Sequence, residues 1–338
     1  MNIPFWKSDI RRGHDVSKTP ISVKKTKLYS KNIMKFSGHT MTVLPKGFFC
    51  IIGGYSNEKC RSDVYLCDAE EFFNNEKINV QWHEINFKGF PIPALASSCC
   101  CNVGNKVYVY GGSGPIWGRS NSDVFYEIDF TTRESKKINT INTPPELYGG
   151  TLNYYKDNEK LYLFGGTNGT FFFNSVYSFD LKKQIWVKEE TRGEIPSARY
   201  KHDSLIIDGQ LYILGGGQYR PGQNKFEIYK LDLETMTWCV VNYLSSEVDH
   251  QNTLASGVAF DEFKNEIIIF GGRKDDDSKG NKIYGFNIKS EKMREIPMNT
   301  IVQGREFHKC CIYKNKFFSI AGSTGTERID EILVFNLD

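Results

Sequence analysis

Six glycine-centred strand ends recur down the chain: IIGG at 51–54, VYGG at 109–112, LFGG at 163–166, ILGG at 213–216, IFGG at 269–272 and SIAG at 319–322. Between second glycines the steps are 58, 54, 50, 56 and 50 residues. A period near 50 marks a radial or stacked repeat, each unit of which cannot bury its apolar face alone. Each doublet stands where a strand of β-branched and aromatic residues must stop and turn, and glycine there tolerates positive φ and a closely approaching backbone.

Two further elements keep register with the doublets. Downstream, Tyr177, Asp180 and Trp186, and again Tyr229, Asp232 and Trp238, place an acid at a turn and a tryptophan six residues later. Asp129 with Ser135 and Asn287 with Met293 keep that spacing, whereas Asp68 to Trp82 is stretched by eight residues, which predicts a loop. Upstream, a turn leads into an apolar strand, as at Pro196 to His202 and at Gly304 to His308. The whole pattern resembles the kelch repeat, in which four antiparallel strands make one propeller blade. What the resemblance implies is an all-β, six-bladed kelch propeller.

The sixth unit has an inner strand, the SIAG strand and a third strand, Glu331 to Leu337, but no outer strand follows. An open ring would leave unpaired edges that invite aggregation. We therefore expect Ile21 to Tyr29 to fold back as the outer strand of blade six, giving a propeller over 21–338. Residues 1–20 are polar and are expected to form a flexible N-terminal arm.

Length alone would permit two domains, but the unbroken repeat argues for one. A formal net charge of +3 does not point to nucleic acid as a partner. With no run of 18 apolar residues and no apolar signal core, no membrane association is expected and the chain reads as cytoplasmic or nuclear. Five of the nine cysteines cluster, as Cys99, Cys100 and Cys101 and as Cys310 and Cys311, inside apolar strands. Such neighbours face opposite sides of a sheet, so they read as small buried hydrophobes in a reducing compartment.

Catalytic and metal motifs do not appear: the six histidines show no metal spacing, and His39, His202 and His308 share one repeat position, which points to a structural role. The acid cluster Asp275 to Asp277 reads as a solvated turn. No enzyme activity, metal or cofactor is expected. Residues that vary between units lie in loops that a propeller gathers on one face, where binding concentrates. They include Trp117, Tyr148, Tyr200, Tyr219, Arg220, Arg273 and Phe307. Aromatics and arginines together describe a peptide-binding surface. Arg199 and Arg305, being repeat-related, carry two readings: forks for a ligand carboxylate, or partners of acids in neighbouring turns.

A closer resemblance lies in YGGSGPIWGRSNSD at 110–123, YLFGGTNG at 162–169, IPSARYKH at 195–202 and LYILGGG at 211–217. These stretches resemble the kelch domain-containing protein 10 family, similar to other kelch substrate receptors of elongin and cullin ubiquitin ligases. The resemblance implies a non-enzymatic module whose loop face receives the C-terminal end of a protein or peptide, with a pocket role for Arg199, Tyr200 and their loop neighbours; together with Arg305, Tyr148, Trp117, Tyr219 and Arg220 from the reading of the loops they make up the expected site. That family carries a helical docking segment after the propeller, whereas this sequence stops at Asp338 without one. The link to elongin and cullin therefore stays open. Other kelch proteins offer alternatives: a scaffold or adaptor in trafficking or the cytoskeleton, or a propeller metalloenzyme.

Overall fold

A computed structural model describes residues 20–29, 35–56, 59–73, 79–218, 226–243, 254–274 and 276–338. Blade two shows the plan: Cys99–Val103, Lys106–Tyr110, Phe125–Asp129 and Glu134–Lys137 form consecutive antiparallel strands, innermost first. Six sheets are built this way, their inner strands facing a central channel.

The ring closes as the sequence predicts. Val23–Tyr29 pairs antiparallel with Glu331–Asn336, Val23 opposite Phe335 and Lys27 opposite Glu331, completing blade six. Apart from Pro20, the arm expected at 1–20 lies outside the described residues. Removing residues 1–30 should expose the edge of Glu331–Asn336 and lower the melting temperature, whereas removing 1–18 should leave it nearly unchanged. Equal melting temperatures for the two truncations would refute this closure.

The recurring spacing of acid and tryptophan has a local cause. Asp180 Oδ1 accepts the N–H groups of Lys182 and Lys183, both at 2.9 Å, and Asp232 Oδ1 does the same for Glu234 and Thr235 at 3.1 and 2.7 Å. Asn287 substitutes because its amide oxygen accepts equally well, from Lys289 and Ser290. The strand leaving this turn carries Trp186 into the contact between blades two and three, against Tyr110, Phe125 and Phe179. Trp238 packs likewise on Phe164 of blade three.

The stretched first unit is more than a loop. Ala69–Phe73 forms a short 3-10 turn whose Phe72 packs on Phe49 and Phe318. Asn79–Gln81 then runs parallel to Val23–Tyr29 as a fifth strand of blade six. Lys88–Gly89 lies the same way beside Glu134–Lys137, and Arg192–Gly193 beside Thr237–Val240. In all three places, chain passing between blades shields an outer edge that would otherwise be open to pairing.

The histidines explain the glycine doublets. A Cβ on Gly216, at φ +75°, would stand 2.6 Å from the Cβ of His202, and one on Gly165 would stand 2.7 Å from its Cε1. His308 is seated in the same manner between Gly322 and Gly271. His202 Nε2 shares a hydrogen bond with the Thr151 hydroxyl at 3.1 Å, and His308 Nε2 bonds the carbonyl of Phe270 at 3.1 Å. His39 is equally buried, edge-on to Phe36. The shared repeat position is thus structural, as expected.

Candidate functional site

Just ahead of the inner strands, Gly38, Ser97, Gly149, Lys201, Ala255 and Phe307 all lie between φ 55° and 65°. Their peptides bond around the channel mouth: Gly38 N–H to Phe307 O, Ser97 to Gly38, Gly149 to Ser97, Lys201 to Gly149 and Ala255 to Lys201, at 2.7 to 3.0 Å. This belt holds the loop face rigid. Above it opens a bowl of about 330 Å³ lined by Tyr55, Pro115, Trp117, Lys201, Arg273, Phe307 and Arg328. Below it runs a polar channel of about 360 Å³, crossed by Lys309 and Asp203 at 3.6 Å.

Cations of the bowl rest on aromatic faces. The Lys201 ammonium is 4.2 Å from the centre of the Phe307 ring and 4.9 Å from that of Tyr200. Arg328 stacks 4.4 Å over Tyr55, and its buried Nε meets no acceptor among the described residues. Arg273 stands 5.7 Å from the Phe307 ring and forks onto Glu306, Nε at 2.7 Å and Nη2 at 3.0 Å. Aromatic faces hold the cations in place by their quadrupoles. Because those faces are already occupied, the bowl suits an anion better than a cation.

Among the residues singled out in the sequence, Trp117, Tyr148 and Tyr200 come together in a chain of edge-to-face contacts, Trp117 to Tyr148 at 5.0 Å and Tyr148 to Tyr200 at 6.1 Å. Trp117 is exposed and lines the bowl; the two tyrosines are buried beneath it. Tyr219 and Arg220 lie outside the described residues. Arg199 and Arg305 are buried inside their blades. Arg199 donates to Gly215 O at 2.8 Å, Ser197 O at 3.0 Å and Glu227 Oε2 at 2.8 Å, and stacks on Tyr229. Arg305 donates to Glu331 Oε1 at 2.6 Å and reaches the carbonyls of Ala321 and Glu331. Of the two readings, this geometry matches pairing with neighbouring acids: both arginines tie the glycine-doublet turn to the next strand.

Lys201 and Arg328 escaped the sequence reading, Lys201 because it sits inside a repeat motif and Arg328 because it follows the last doublet at no repeated offset. The blade role of Arg199 and Arg305 did leave a signal. Each has a glutamate 28 or 26 residues on, beside or at the start of the third strand of its unit. Among the described residues no group of three or more His, Cys, Asp or Glu side chains is placed to hold a metal. No helix there is long and apolar enough to cross a membrane.

The KLHDC2/KLHL20/DRC7 Kelch-repeats domain matches residues 19–216, 99–253 and 208–338. The chain belongs to the kelch-repeat family. Kelch domain-containing protein 10 of Rattus norvegicus is 26% identical over 221 residues, covering 64% of this chain and 53% of the relative. Its Homo sapiens counterpart gives the same identity over 64% and 49%. Kelch domain-containing protein 3 of Rattus norvegicus is 24% identical over 258 residues, 68% of this chain and 64% of that protein. The chain spans about half the length of the kelch domain-containing protein 10 relatives it matches. The solved structure of YjhT superposes with a TM-score of 0.67 at 16% identity, over 90% of this chain and 96% of the other, and shows the same fold. A kelch propeller with these relatives supports a protein-interaction module.

Proposed function

We propose that this kelch propeller receives a peptide or protein terminus on its loop face, as substrate receptor of a ubiquitin ligase that recognises C-terminal degrons through elongin and cullin partners. The bowl carries this reading: Lys201 and Arg328 converge on one cavity beside the exposed Trp117, with Arg273, itself paired with Glu306, in its wall. A carboxylate can be gripped there by charge-assisted hydrogen bonds while aromatic side chains wall the chain leading to it. Arg328 takes the part that the sequence offered to Arg199 and Arg305. Nine free cysteines fit a reducing, cytoplasmic or nuclear setting.

Two experiments test this. Affinity purification followed by mass spectrometry should recover elongin and cullin; their consistent absence would refute the ligase assignment. In stability and binding assays, Arg305→Ala should destabilise the fold by about 2 to 4 kcal/mol, because it leaves the partly buried Glu331 carboxylate and two backbone carbonyls unpaired. Arg328→Ala should fold normally and lose affinity for a free-acid peptide selected on the wild type, and amidating that peptide should weaken wild-type binding to a similar degree. Wild-type affinity unchanged by amidation would refute the terminal carboxylate.

A further inference from the structure

Two neighbouring loops beside the bowl are knitted into one platform. Gly118 and Gly169 approach so closely that a Cβ on Gly169 would stand 2.2 Å from Gly118 O. Asn121 Nδ2 donates to Asn168 O at 2.6 Å across the same junction. Asn168 Oδ1 accepts the Phe171 N–H at 2.8 Å, and the Thr167 hydroxyl donates to Phe171 O at 2.7 Å. The loop tips are thereby fixed, yet they hold large apolar side chains in water: Ile116 is 63% exposed, Trp117 42% and Phe171 66%. Side chains grouped in this way on tied-down loops mark an interaction site.

We infer that the ligand of the bowl carries bulky apolar side chains directly ahead of its carboxylate, and that these lie across a ridge made by Ile116, Trp117 and Phe171. The inference rests on the peptide reading above and adds the class of sequence that the site selects. Trp117 belongs both to the ridge and to the bowl wall, so the two features form one continuous surface. Charge sets the direction: Arg328 and Lys201 hold the acidic end, while Arg273 stays paired with Glu306 in the wall, and the chain before it crosses onto blades two and three. Exposed aromatics beside an arginine-bearing pocket have the composition of a binding hot spot. The carboxylate is that of a chain terminus; an Asp or Glu side chain in its place is an outcome that the test separates.

The full chain is panned against a random decapeptide library displayed with free C-termini. Selected peptides are then measured by fluorescence anisotropy as free acids, as terminal amides, and with Asp or Glu replaced by Asn or Gln. We expect Trp, Phe, Leu or Ile within about four residues of the critical carboxylate, a short extended span. The double variant Ile116→Ser, Phe171→Ser should bind such a peptide about tenfold more weakly. It should match wild type for the same peptide with its apolar residues changed to Ser. An unchanged melting temperature shows that the variant folds, as expected for exposed positions. Selected peptides without apolar residues, or equal affinity of variant and wild type, would overturn the ridge alone. Apolar peptides indifferent to every carboxylate would overturn the acidic-end reading while upholding the ridge. Failure to select any peptide would overturn both.

Discussion

Acidification from pH 7.5 to pH 5 is expected to remove about 6 kcal/mol of stability through three histidines, within the range of a whole domain's net stability. Burial holds His39 and His202 down at about 3 and His308 well below the usual imidazole range. In the unfolded chain all three titrate near 6.5. Between those values the unfolded state binds protons that the folded state refuses. Stability is therefore full above about pH 6.5 and falls as pH drops, by roughly 1.4 kcal/mol per unit for each histidine. The turn carboxylates of Asp180 and Asp232 do not confuse this window. Backbone N–H groups, from Lys183 and Thr235 first, hold them below the usual carboxylate range, so their contribution is lost only under more acidic conditions. Denaturant titrations at pH 7.5, 6 and 5 on wild type and His39→Leu provide the check. Neither ring nitrogen of His39 meets a hydrogen-bond partner among the described residues, so leucine removes a titrating group without orphaning another. The slope should fall by about a third; equal slopes would refute the assignment.

Trp186→Ala and Trp238→Ala are each expected to cost about 3 to 5 kcal/mol, the range for deleting a large buried aromatic. Trp186 is wholly buried among rings from two blades, so its loss opens a cavity that neither blade can close without moving against the other. Trp117→Ala, on an exposed loop, should cost less than about 1 kcal/mol. Urea midpoints that reversed this order would contradict the interdigitation of the blades.

Both predictions draw on features that the sequence displays, because anything the blade geometry demands must recur once per blade. The doublets, Asp180, Trp186, His202 and the return of Val23–Tyr29 to blade six are of this kind. The bowl is different. Whether an arginine faces a ligand or its own fold depends on which acid comes to rest beside it. Arg305 and Arg328 are 23 residues apart in the same unit. Glu331 engages the first, while the ring of Tyr55, from the other end of the chain, holds the second. Periodicity identifies Arg305 as part of the frame once its glutamate is counted with it, but no local pattern links Arg328 to Tyr55. The stretched first unit conceals its strand for a similar reason. Asn79–Gln81 finds its pairing partner on a strand from blade six, which no reading confined to residues 69–81 could supply.

The same junction fixes the order of events during synthesis. Among the described strands the first, Val23–Tyr29, has its antiparallel seat on the last, Glu331–Asn336. At roughly 5 to 20 residues per second, the wait between them lasts on the order of 15 to 60 s. Asn79–Gln81 in turn rests on Val23–Tyr29, so part of the blade-one connection must also wait for Glu331–Asn336 to leave the ribosome. A nascent chain of this protein therefore holds an unmatched strand until Glu331–Asn336 emerges, and a factor that shelters such edges would act on it throughout that interval.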